Sequence, residues 1–405
     1  MVTPPEQPQA ESVVKSAAAP SELILEIATQ PPLPYIATRK VRCFLRPPAV
    51  PDAQAPLLIV VQGIGGRSLD ISQKRSRLRM SQAHGAWVCA VDIYGVESMY
   101  SDLMYVDRSI RRMEKQVQEE FAHVEADMYC PVNKHWVCWN AEAERSLGGV
   151  PDDAWDWGAL QAVDLLNAVR GARKRIADIC GKPFVGSLHG IGQSAGVQVL
   201  LSASRFAPGL FASLLDLGGM FITSRDLEIL RCLLVDPVGH LPSSNYGFFI
   251  VKLAKANCVV LRVNPTADPG ERLRWPQSTL GQRLALRNMS IGWQAERLAG
   301  LRVTSVVGIN DTRPGTESRA EFYQVLSAAG IAVERRDITP EDVDGVAYQA
   351  VDHGAIGDLA AAVAKNADVL SANRPYDDRL IPLVVDGARW QLVDVGHLEL
   401  RHELC

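Results

Sequence analysis

FVGSLHGIGQSAGVQVLLSASRF, residues 184–206, is the stretch whose reading decides the fold. Residues 184–191 form a short, largely apolar run and read as a buried strand. Gly192-Gln193-Ser194-Ala195-Gly196 follows at once, and residues 197–206 read as a helix stopped by Pro208-Gly209. Strand, G-x-S-x-G and helix in that order form a nucleophile elbow. A turn this tight strains the backbone of its serine. Glycines two before and two after let strand and helix close with no side chain between them. The Ser194 hydroxyl then stands above the sheet edge, at a helix N-terminus whose N–H groups favour a developing negative charge. With 31 glycines in the chain, the five-residue pattern arises by chance about 0.1–0.2 times per chain of this size. The strand before it and the helix after it therefore carry the signal.

Moving outward, residues 23–28 and 35–45 read as two opening antiparallel strands. LLIVV at 57–61 has the continuous aliphatic character of a central strand covered on both faces. Gln62-Gly63-Ile64-Gly65-Gly66 follows, then a helix over 69–83 and a buried strand over 86–93. This alternation is α/β patterning. Residues 153–179 hold a strong helix that leads into the elbow strand. Beyond the elbow, 211–217, 302–309 and 331–337 read as further strands. A helix over 314–329 has Pro314 at its start and Gly330 after its end. Another helix spans 355–364. The tail RLIPLVVDGARWQLVDV, 379–395, reads as a hairpin turning at Asp386-Gly387. Two stretches break the rhythm, 94–150 and 220–300. The first holds a long polar helix over 101–128 and an aromatic-rich segment containing HWVCW.

The chain is 405 residues long and long enough for one large α/β domain with insertions. Residues 1–21, rich in Pro, Gln, Ala and Ser, read as a flexible leader without the basic start and apolar stretch of a signal peptide. No apolar run reaches the roughly 18 residues of a membrane span. The formal net charge of −4 offers no basic footprint for nucleic acid. Eight cysteines are scattered without a CxxC, which suits a reducing, cytoplasmic setting. His123, Cys130, His135 and Cys138 are zinc-ligand types at a spacing that matches no common site, so no metal is expected. The Gly loop at 62–66 lacks the G-x-G-x-x-G spacing of a dinucleotide turn, and no cofactor is expected.

Two further residues join the elbow. Asp311, in VVGINDTRPG, directly follows a predicted strand, and His353, in VDHGAIGD, follows the last one. The order of serine, acid and histidine, with a helix and a strand between the last two, resembles the α/β-hydrolase superfamily over residues 23–365. WGALQAVDLLNA, the elbow and the DHG together look like a little-characterised group of bacterial hydrolase-like proteins. The resemblance implies a mostly parallel central sheet flanked by helices, with 94–150 and 220–300 as cap insertions in a domain spanning 22–405. It implies Ser194 as nucleophile, His353 as general base and then acid, and Asp311 as the carboxylate that orients the histidine. It also implies an oxyanion hole from the Ala195 N–H and a second N–H around Ile64 or Gly65. The chain departs from the family in having Gln62 where a histidine usually opens that loop.

Each residue has a plainer reading. Asp311 would equally cap the following helix, and Asp216, closing the sixth predicted strand, is the alternative acid. His353 would serve as an ordinary loop histidine, while His189 and His240 read as structural. Trp136 and Trp139 either pack the insertion or line a substrate pocket. The function implied is a serine hydrolase acting on a small-molecule ester. An acyltransferase using the same residues, or a non-catalytic protein of the same fold, are the other readings.

Overall fold

The computed structural model describes residues 21–30, 39–63, 71–93, 159–219, 221, 247–253, 257–263, 286, 289, 293, 300–311, 316–353, 355–385 and 387–404. Strands β1 (Leu23–Thr29), β2 (Arg39–Arg46) and β3 (Leu57–Val61) come first, followed by helix α1 (Ile71–His84) and strand β4 (Trp87–Asp92). Helix α2 (Ala159–Cys180) leads to β5 (Leu188–Gln193), α3 (Ala195–Phe206) and β6 (Ser213–Leu217). A separate antiparallel hairpin, β7 (Gly247–Leu253) with β8 (Asn257–Val263), lies within the second insertion. Then come β9 (Arg302–Gly308), α4 (Thr316–Ala328), β10 (Ala332–Ile338) and α5 (Leu359–Lys365). Strands β11 (Leu383–Val385), β12 (Ala388–Asp394) and β13 (Leu398–Leu404) close the chain.

Eight strands form one sheet in the order β1-β2-β4-β3-β5-β6-β9-β10. β2 runs antiparallel to both its neighbours, and every pairing from β4 to β10 is parallel. The aliphatic run of β3 explains its central place. Leu57, Ile59 and Val61 point into one apolar cluster, and Leu58 and Val60 into another on the opposite face. The first cluster also holds Val163 and Val169 of α2, Val199 of α3 and Phe322 of α4; the second holds Met80 of α1 and Leu359 and Val363 of α5. Two helical layers thus cover one sheet, which is the α/β-hydrolase arrangement expected from the sequence. No helix among the described residues is long and apolar enough to cross a membrane.

The larger departures from the sequence reading have identifiable contacts behind them. The elbow strand begins at Leu188 instead of 184. The Val185 and Gly186 N–H groups both donate to the Ala53 carbonyl, at 2.9 and 3.2 Å, so 184–187 is a loop laid over 53–55. Helix α5 starts at Leu359 instead of 355, because Ile356 pairs with Tyr348 and the Gly357 and Asp358 N–H groups donate to Ala347 and Val346. Asp358 then caps the helix by accepting from the Ala361 N–H at 2.9 Å. The C-terminal tail is a three-stranded sheet, with β13 added to the outer side of β12. Asn167 of α2 binds both the N–H and the carbonyl of Leu398, at 2.7 and 3.0 Å, which ties this sheet to the main domain. Residues 1–20 of the leader and the whole of 94–150 lie outside the described residues, as does most of 220–300.

Candidate active site

The elbow sits where β5 runs straight into α3. Ser194 has φ 51° and ψ −123°, and it is the one non-glycine residue with positive φ among the described residues. Such backbone costs on the order of 1–3 kcal/mol and persists only where the surroundings enforce it. They do so here through glycine. A Cβ on Gly192 would lie 2.8 Å from the Val197 backbone, and one on Gly196 would lie 2.2 Å from the Val61 carbonyl oxygen. Strand β5, helix α3 and the end of β3 therefore touch backbone to backbone around the serine. The Ser194 N–H donates to the Leu217 carbonyl at 3.2 Å, pinning the turn to β6. Its hydroxyl makes no capping bond to the helix it opens.

That hydroxyl instead meets His353, with Oγ 2.9 Å from Nε2. The other ring nitrogen, Nδ1, lies 3.2 Å from both carboxylate oxygens of Asp311. The two loops that supply these side chains are bound together. The Asn310 N–H donates to the Val351 carbonyl at 2.8 Å, and a Cβ on Gly308 would lie 2.3 Å from the same oxygen. The histidine loop thus lies directly on the end of β9, where Asp311 begins. Asp311 is fully buried at its side chain, and His353 is 23% exposed, so the histidine closes the group on its open side. All three residues stand at the C-terminal edge of parallel strands, beside Gly63 at the end of β3, whose added Cβ would come within 2.7 Å of Ser194 Cβ. Ligand sites of open α/β sheets form at this edge.

Asp216, the alternative acid, is placed differently. Its Oδ1 accepts from the Gly219 N–H at 2.6 Å and its Oδ2 from the Ser305 hydroxyl at 2.7 Å. Burial pushes its carboxyl above the usual range, against the pull of the nearby Arg319 guanidinium. Ser305 also hydrogen-bonds the Tyr323 hydroxyl. Arg319, from α4, reaches Asp311 Oδ2 at 3.4 Å. His189 lies inside β5 with no exposure, its ring nitrogens 2.9 Å from Ser187 Oγ and 2.8 Å from Ser213 Oγ. Desolvation pushes this imidazole down to about 4.

Ala195 opens α3, so its N–H belongs to the first turn, where no intrahelical acceptor exists. Ile64 and Gly65, expected to supply the second donor, lie outside the described residues, as do Trp136, Trp139, His240 and the His123, Cys130, His135, Cys138 set. The described residues contain no group of His, Cys, Asp and Glu able to hold a metal ion. Gln62, which stands where the family usually has histidine, is buried and donates to the Gln73 side chain of α1 at 2.9 Å. Sequence reading passed over Arg319, Ser305 and Tyr323, since nothing in their local sequence marks them.

No protein-family model and no curated protein matches the sequence. Among solved structures, Est1E from Butyrivibrio proteoclasticus is similar at 12% identity and TM-score 0.37, over 85% of this chain and 96% of its own. Carboxyl esterase 2 from the mycorrhizal fungus Tuber melanosporum is similar at 13% and TM-score 0.41, over 89% and 86%. A puromycin-hydrolyzing peptidase from Mycobacterium tuberculosis is similar at 16% and TM-score 0.43, over 85% of this chain; the match spans 39% of the peptidase. At these values the likenesses add nothing to what the sheet order shows by itself. The eight-stranded order with β2 reversed, the glycine-enforced elbow after β5 and the two helical layers give this chain the α/β-hydrolase fold.

Proposed function

We propose that the protein is a serine hydrolase that cleaves a carboxylic ester through an acyl-enzyme. The observation that carries the reading is the continuous run of short contacts from Ser194 Oγ to His353 Nε2, at 2.9 Å, and from His353 Nδ1 to Asp311, at 3.2 Å. A serine hydroxyl attacks a carbonyl only when a base takes its proton, and Nε2 is within reach to do so. Oγ then bonds to the carbonyl carbon and Nε2 holds the proton. The Ala195 N–H, with a second donor from the loop after β3, receives the negative charge on oxygen. Collapse of the tetrahedral intermediate expels the alcohol, which takes the proton from Nε2. Water repeats the sequence on the acyl-enzyme, releases the acid and returns the proton to Ser194. Asp311 holds the ring with Nε2 facing the serine and stabilises the imidazolium formed in both halves.

The chain 94–150 leaves the sheet after β4, whose C-terminal end belongs to the same edge as Ser194. It is proposed as a cap that sets substrate size, with Trp136 and Trp139 lining the pocket. Reaction with a fluorophosphonate probe tests the reading. The wild-type protein should be labelled on Ser194, and Ser194→Ala should lose both labelling and ester turnover, at a cost of about 10⁴–10⁶ in rate. Turnover retained by Ser194→Ala would overturn the assignment. Matched ester and amide substrates, and acceptor alcohols added to the ester, separate ester hydrolysis from amide cleavage and from acyl transfer.

A further inference from the structure

Behind Asp311 lies a second carboxylate that the proposed reaction never touches. Asp216 and Arg319 are both buried, at 1% and 3% exposure. Arg319 pairs with Asp311 Oδ2 at 3.4 Å, and its guanidinium also acts on Asp216 and on the Tyr323 phenol oxygen. Tyr323 in turn hydrogen-bonds Ser305, and Ser305 donates to Asp216 Oδ2 at 2.7 Å. The chain runs Asp311, Arg319, Tyr323, Ser305, Asp216. Its last link is built into the sheet, since Asp216 of β6 and Ser305 of β9 are partners in the parallel register.

Charge counting gives this arrangement a role. A buried guanidinium paired with Asp311 alone would cancel the charge that His353 needs when it becomes cationic. With Asp216 ionised as well, two carboxylates and one guanidinium leave one negative charge beside the neutral ring. The cluster becomes neutral when His353 takes the proton. Burial raises the Asp216 carboxyl, and the Arg319 guanidinium, the Ser305 O–H and the Gly219 N–H oppose burial and favour the ionised form. We propose that Asp216 and Arg319 are positioning residues, in which Arg319 anchors Asp311 and Asp216 offsets the Arg319 charge, so that Asp311 acts on His353 as an uncompensated carboxylate. The inference rests on His353 being the base of the proposed reaction. Among the described residues, the charged and titratable groups that act on one another here are Asp216 from β6, Asp311 after β9, and Arg319 and Tyr323 from α4. Asp352, an exposed residue, precedes His353 in its own loop.

The test is the titration of His353, followed by NMR in full-length protein carrying ¹³C-labelled histidine and assigned by the signal lost in His353→Gln. Asp216→Asn should move the His353 curve to lower pH and Arg319→Met to higher pH. Each shift should be on the order of 1 pH unit for a charge acting across this pair in a buried setting. The double variant should lie between the two. A merely structural role for these residues moves no curve in opposite directions. An Asp216→Asn curve unmoved or raised overturns the inference. If Arg319→Met does not fold, Asp216→Asn and the double variant decide, and the double must lie above Asp216→Asn. Fluorophosphonate labelling, run in parallel, separates the two readings. Opposite shifts without labelling leave the charge coupling standing and remove the hydrolase. Labelling without shifts does the reverse.

Discussion

His189 makes the stability of this fold sensitive to mild acid. The ring is fully buried in β5, and both nitrogens are occupied by serine hydroxyls, Ser187 at 2.9 Å and Ser213 at 2.8 Å. A neutral imidazole satisfies both partners, one as donor and one as acceptor, because serine hydroxyls rotate to suit. A charged one must shed its water with no carboxylate among the described residues to meet it. Burial accordingly pushes the folded-state value to about 4 from an ordinary 6.5. The sign follows directly. The unfolded chain takes the proton first as pH falls, so this residue's contribution is whole above pH 6.5 and is lost progressively down to about pH 4. The full loss is about 3 kcal/mol, and about 2 kcal/mol of it is gone by pH 5. Urea unfolding followed by tryptophan fluorescence between pH 7.5 and 5 measures it. His189→Asn lowers stability at every pH through lost packing, but its pH dependence over this range should be shallower than wild type by about 2 kcal/mol. His84 and the surface carboxylates titrate alike in both proteins and cancel in the comparison. Parallel slopes in the two proteins would refute the argument.

Three other outcomes are expected. Asp311→Asn should lower kcat by about 10³–10⁴ with little change in melting temperature, while Asp216→Asn costs far less in rate; the opposite ranking in ester turnover would make Asp216 the acid. Gly196→Ala places a methyl group 2.2 Å from the Val61 carbonyl oxygen. It should destabilise the fold by about 1–3 kcal/mol and displace Ser194, read as a lower melting temperature and a slower fluorophosphonate reaction. Trp136→Ala or Trp139→Ala should change the preferred ester chain length more than the melting temperature; an unchanged length profile with a large stability loss would make these rings packing residues.

Much of this protein is legible in its linear order. The aliphatic run of β3, the elbow glycines and the strand-helix alternation announce a single sheet covered by helices on both faces, because burial on both faces demands continuous apolar strands. Ser194 follows the end of β5, Asp311 the end of β9, and His353 lies in the long loop after β10, so motif and chain order single the three out as candidates. Boundaries set by contacts with distant chain were not legible. The loop 184–187 is drawn out of β5 by hydrogen bonds to Ala53, and the alternating LELRHEL of β13 declares itself a strand only against β12. The buried chain behind Asp311 is the clearest case. Asp216 and Ser305 are 89 positions apart and meet because β6 and β9 are neighbours in parallel register. Local periodicity carries the facing of a strand but not its partner. Which buried charges must balance one another was therefore decided only when the sheet closed around them.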